Sequence, residues 1–415
     1  MWVYSLLTIA LLFGVAQPSQ ADAPPITHKM PAHSLPRQSA TVAMEVRDNR
    51  VFVPLQITGP NGKKRTALFW IDSGGDTIFF SGPLAHALGL KKSGPSFQGM
   101  GNTPSHMVNT PHLAIEAMAI DLNDVSAAVS ESKNRNAFAG VEAEGFLPAT
   151  VLKKYDVVFD YPAHRFTLAT SGVIAHHGVP VPLSVNPTTG FARIELSIAG
   201  RSYGFMLDTG AAYTGVSQGR IDQWMREHPS WPHSVGAVGA ANMVGKSFDV
   251  GNELIRLPEL SWGPVRLQNV GMVSRQKGLY ENVISKDMTA PIVGALSGNV
   301  LRLFRLDIDY PAGLVYLDQR NTDSANDLDS VGVIVQVKDD GSVIISGVVK
   351  RNGLAEVDGV EPGDQLLRVD GRWMAGASIA TVDQALSGAV KEKHQLTVRR
   401  GERIFSVPAE VRSHP

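Results

Sequence analysis

FMLDTGAAYT, residues 205–214, runs three apolar residues into a carboxylate, a hydroxyl and a glycine. The pattern places Asp208 where a buried strand ends, and a carboxylate at the rim of a core is costly unless something answers it. The answer lies upstream in FWIDSGGDTI, residues 69–78, where Asp72, Ser73 and Gly74 again follow an apolar run. Before each triplet, VFVPLQITGPNGKKRTALFWID and ARIELSIAGRSYGFMLD alternate apolar and polar residues around a glycine-bearing turn, a hairpin signature. Two strands are therefore expected to deliver each carboxylate.

The match continues downstream. EGFLPATVLKKYDVVFDYPAHRFTL (144–168) lies over VGALSGNVLRLFRLDIDYPAGLVYL (293–317) without a gap, aligning Gly145 with Gly294 and Asp160-Tyr161-Pro162 with Asp309-Tyr310-Pro311. A repeat of this length is a duplicated lobe rather than a solenoid array. One Asp-hydroxyl-Gly triplet is an ordinary capped turn; two inside matched lobes are expected to meet across an approximate twofold axis. Asp72 and Asp208 would then face each other, and carboxylates about 3 Å apart hold one shared proton between them. Such a pair offers a general base toward water and a general acid toward a carbonyl. Ser73 and Thr209 would bond across the axis, with Gly74 and Gly210 admitting backbone close to the acids.

These residues resemble the retropepsin-like aspartic peptidases of bacteria, fused so that one chain supplies both halves as in pepsin-like enzymes. The likeness spans residues 45–318 and rests on DSG, DTG, both G-x-L segments and both DYP endings. It implies a mainly β fold of two β-barrel lobes forming a pseudo-dimer, with Asp72 and Asp208 as the catalytic pair of an aspartic endopeptidase. It implies also a glycine-rich flap at Gly99, Met100 and Gly101, with a second at Gly239, closing over an extended polypeptide substrate. The chemistry calls for no cofactor and no metal, and for activity at acidic to mildly acidic pH, because loss of the shared proton removes the acid. The alternative is a peptide-binding scaffold of the same fold whose site has closed.

Further on, GLAEVDGVEPGDQLLRVDG resembles the signature of bacterial PDZ domains, carried by Pro362, Gly363, Asp364, Asp370 and Gly371. The resemblance implies a peptide or free C-terminus added as a strand, its carboxylate held by the loop at Val331, Gly332, Val333 and Ile334.

Composition sets the frame. The 415 residues are 43% apolar and 19% charged, enough for more than one core. Thirty-eight basic side chains nearly cancel thirty-nine acidic ones, so no broad field gathers nucleic acid. There is no cysteine, which excludes disulfides and thiolate chemistry, and the histidines show no metal-binding motif. The apolar run Leu6–Ala16 ending in Ala21-Asp22-Ala23 reads as a signal peptide cleaved after Ala23, shorter than a bilayer span of about 20 residues. The chain is thus expected to be exported, periplasmic or secreted, without a stable membrane anchor. The expected order is signal peptide 1–23, flexible leader 24–44, lobe one 45–172, lobe two 173–320, linker 321–330 and PDZ domain 331–412.

Overall fold

The computed structural model describes residues 38–99, 103–131, 143–242, 250–322, 328–338 and 340–415; the expected signal peptide and most of the leader lie outside them. The described chain is mainly β and is built on four sheets, two ten-stranded, one six-stranded and one seven-stranded. No described helix is long and apolar enough to cross a membrane.

Each expected hairpin forms. Arg50–Thr58 pairs antiparallel with Lys64–Asp72, and Ala192–Ile198 with Arg201–Leu207. Their burial alternates as the sequence does: Val53, Leu55 and Ile57 point into the core while Pro54 and Gln56 face out. The short strand of each G-x-L segment then lies parallel to the second strand of its hairpin. Gly145–Pro148 runs beside Lys64–Asp72, setting Pro148 against Asp72, and Gly294–Leu296 runs beside Phe205 to Leu207. A four-residue helix follows in both copies, Ala149–Leu152 and Gly298–Leu301.

The Asp-Tyr-Pro hairpins join the halves. Asp156–Asp160 pairs antiparallel with Phe304–Asp309 at the centre of the six-stranded sheet, its registers running from Asp156↔Asp309 through Val158↔Asp307 to Asp160↔Arg305. The first and last pairs exchange under the sequence repeat, so the duplication is also a local twofold about the Val158–Asp307 pair. One apolar core crosses it, with Val157, Phe159, Leu306 and Ile308 fully buried. Carrying this area out of water at roughly 25 cal/mol per Å² holds the halves together without any disulfide.

The C-terminal part has its own core of Val333, Val335, Val343, Ile345, Leu366, Val382, Leu396 and Val398. It joins the preceding sheet through the bridge Val235↔Lys350. The expected linker 321–330 is corrected at its end: Leu328 is buried and Asp329–Val331 is a strand paired with Arg403–Ser413, because Leu328 finds apolar neighbours in Ala237, Val238 and Ile334. Residues 323–327 lie outside the described residues.

Candidate active site

The two Asp-hydroxyl-Gly turns meet. A Cβ built on Gly74 would lie 2.9 Å from Asp208 Oδ1 and 3.1 Å from Asp72 Oδ1, and one built on Gly210 would stand 2.2 and 2.4 Å from the two Asp72 oxygens. Both carboxyls thus crowd one small space that only glycine leaves open. The hydroxyls bind crosswise beneath them: Ser73 Oγ donates to Leu207 O (2.8 Å) and accepts from Thr209 N (3.0 Å), while Thr209 Oγ1 donates to Ile71 O (3.0 Å) and accepts from Ser73 N (3.1 Å). These four bonds are fully buried and reciprocal, so neither turn can shift without breaking the other's contacts.

Burial pushes both carboxyls up, and for Asp72 the facing Asp208 adds to the rise. The turns are not equivalent. Asp208 Oδ1 accepts from Gly210 N (2.9 Å) and Ala211 N (3.1 Å), whereas among the described residues Asp72 Oδ1 accepts from the single amide Gly74 N (2.6 Å). Two amide donors favour the ionised form more than one. The charged form is therefore better supported at Asp208 than at Asp72. Arg50, which the sequence reading missed, lies near both acids and favours their ionised forms. Its Nε donates to Gly210 O (3.1 Å) across the lobes. Position 50 begins a strand, and nothing in its local pattern points toward the other turn.

Gly75 has a specific cause. A Cβ there would lie 2.2 Å from Phe146 Cζ, and that ring packs edge-on against Trp70 and Phe79. The repeat places Ala211 and Ala295 at the matching positions of the second lobe. One half fills the space with a small residue on each side, and the other with glycine against phenylalanine. Asp76, four residues after Asp72, is partly buried; burial raises its carboxyl, which accepts from Thr77 Oγ1 at 3.0 Å.

Of the flap residues, Gly99 ends a hairpin in which Lys92–Gly99 pairs with Thr103–Val108; Met100 and Gly101 lie outside the described residues. Gly239 starts the 3-10 turn Gly239–Ala241 beside Leu328, and this turn contacts the helix Ile379–Leu386 of the C-terminal domain; residues 243–249, which follow it, lie outside the described residues.

The groove residues are similarly engaged. Val331 pairs with Val411, the Gly332 carbonyl accepts from Val349 N, Val333 joins the domain core, and Ile334 packs beside Gly236. The strand that Val333 and Ile334 open, Val333–Val337, is an edge strand of its sheet, and Asn242 Nδ2 donates to its Val335 O at 3.0 Å. The residue that follows the 3-10 turn Gly239–Ala241 thus covers part of this edge.

Comparison with known proteins bears on this last region. No curated protein matches the chain. One solved structure, a photosystem II D1 C-terminal processing protease, is similar over 21% of this chain and 24% of its own, with 20% identity and a TM-score of 0.20. The chain spans about a quarter of that protein's length. A family profile described as PDZ domain matches residues 322–399, beginning earlier than the sequence reading placed it. The segment beyond the two carboxylate turns is a PDZ domain.

Proposed function

We propose that this protein is an exported aspartic endopeptidase of retropepsin-like, two-lobed fold, hydrolysing peptide bonds with the Asp72–Asp208 pair. The observation that carries the reading is the reciprocal hydrogen bonding of Ser73 and Thr209 beneath two carboxyls that face one another. No covalent intermediate is needed. Asp208, ionised and held by two amides, takes a proton from a water lying between the acids; Asp72, protonated, gives its proton to the scissile carbonyl oxygen as the water attacks. The tetrahedral intermediate then collapses, the nitrogen takes a proton from Asp208, and Asp72 recovers its own from the diol. The substrate lies extended between the lobes beneath the hairpin that ends at Gly99, and the PDZ domain supplies a second surface for peptides.

The test is digestion of an unfolded polypeptide by the purified chain between pH 4 and 8, beside Asp72→Asn and Asp208→Asn. Cleavage that disappears in both variants, and in wild type declines toward high pH, supports the assignment. Polypeptide binding without cleavage, unchanged in both variants, would show a scaffold instead.

A further inference from the structure

At the centre of the six-stranded sheet, the twofold repeat makes two equivalent cells whose charges differ. In one, Asp160 faces Arg305, which donates to it at 3.4 Å and forks onto Asp307 at 2.8 and 3.2 Å, with Arg320 Nη1 3.6 Å from Asp160. Two acids there meet two arginines. In the other cell the repeat puts Asp156 where Arg305 stands, so Asp156 opposes Asp309 and two carboxylates face each other, with no arginine paired to them among the described residues. The group that approaches is His176, twenty residues further along the chain.

His176 makes no hydrogen bond to either carboxylate. Its Nε2 stands 3.7 Å from Asp156 Oδ2 and 3.6 Å from Asp309 Oδ2, beyond hydrogen-bonding distance to either. Its Nδ1 is buried without a hydrogen-bond partner. The ring is held flat against Tyr316, centroids 4.6 Å apart and planes within 11°. Asp156 is fully buried, and its Oδ1 has no partner either. Backbone amides hold the carboxylates in place: Gly172 N donates to Asp156 Oδ2 at 2.9 Å and Ala312 N to Asp309 Oδ1 at 2.9 Å.

We propose that Asp156, His176 and Asp309 form a divalent-cation site, with Zn²⁺ the best-fitting ion, that staples the two lobes together. One ligand atom from each of the three residues lies within 4.8 Å of the others. Ligands about 2.1 Å from a tetrahedral zinc stand about 3.4 Å apart. The observed 3.6 and 3.7 Å exceed this by a few tenths of an ångström, which small side-chain movements close. An imidazole with two carboxylates suits zinc among common divalent ions. The sequence shows no metal motif because the ligands are single residues from three separate elements, two of them in different lobes. The site lies in the sheet joining the lobes, apart from the acids of the hydrolytic pair, and does not depend on the peptidase reading.

The test uses the full chain stripped with a chelator and dialysed at pH 7, with ZnCl₂ as the probe. The expected results are one zinc per chain by equilibrium dialysis and a rise in the thermal midpoint on zinc addition. Affinity should fall at least about tenfold in His176→Ala and in Asp309→Asn, and stay unchanged in Asp72→Asn/Asp208→Asn. Should His176→Ala fail to fold, the near-isosteric Asp156→Asn replaces it. Wild type that takes up no zinc at about 100 μM with no thermal shift, zinc retained undiminished in the cell variants, or zinc lost with the Asp72 and Asp208 changes would each overturn the proposal.

Discussion

Replacing Gly75 by alanine sets a Cβ 2.2 Å from Phe146 Cζ, far inside any contact real atoms tolerate. The ring cannot turn away freely, because Trp70 and Phe79 hold it at centroid distances of 5.3 and 6.3 Å. Overpacking of this kind costs about 1–3 kcal/mol. Phe146→Ala alone, which empties a buried position, should cost about 3–5 kcal/mol. The double variant recreates the alanine pair of the second lobe. With the ring gone, Gly75→Ala loses its clash and gains about 0.4–1 kcal/mol by restricting the unfolded chain. The double-mutant cycle should therefore give a favourable coupling of about 2–3 kcal/mol, read from urea midpoints at constant slope. On the proposed function, peptide cleavage should fall in Gly75→Ala and partly return in the double variant, since Gly75 adjoins the turn that carries Asp72. Additivity within about 0.5 kcal/mol would refute the volume exchange.

Thr209→Val removes the donor to Ile71 O and the acceptor for Ser73 N, leaving buried groups unpaired, and should cost about 2–4 kcal/mol with a parallel loss of cleavage, checked by denaturation and peptide assay. For Asp72 the folded carboxyl is raised above its unfolded value, so its contribution is complete below the unfolded pKa and is lost as pH rises through the folded one. Asp72→Asn, which cannot ionise, should then be more stable than wild type at neutral pH, with the difference vanishing in acid; a gap that grows toward low pH would contradict the shared proton. Asn242→Ala frees Val335 O on the PDZ edge strand and should tighten binding of a peptide with a free C-terminus by about five- to tenfold in fluorescence anisotropy, whereas unchanged affinity would mean that the second lobe does not compete for that edge.

Both hairpins, the G-x-L strands and the PDZ strands were legible because alternation with period two and glycine-marked turns are local properties. The pairing of Asp72 with Asp208 was legible for another reason: duplication writes a symmetry into the chain, and matched elements near a twofold axis meet their copies. The contacts of Gly239 were not legible, because a glycine-rich run reads alike whether it caps a site or docks on a neighbouring domain. Its seat depends on Leu328 and the helix Ile379–Leu386, far along the chain. Arg50 and Phe146 were unreadable for the same cause, since one reaches the opposite lobe and the other fills space left by a glycine seventy-one residues earlier.

Order along the chain alone thus determined two copies of a strand-built half, the acid each presents and the domain that follows them. Only the folded molecule decided which acid is better supported in its charged form, because that rests on counting amide donors around each oxygen. It likewise decided that Asp156, His176 and Asp309 come together, since one replaced arginine changes the charge of a cell whose members touch only after the halves have paired.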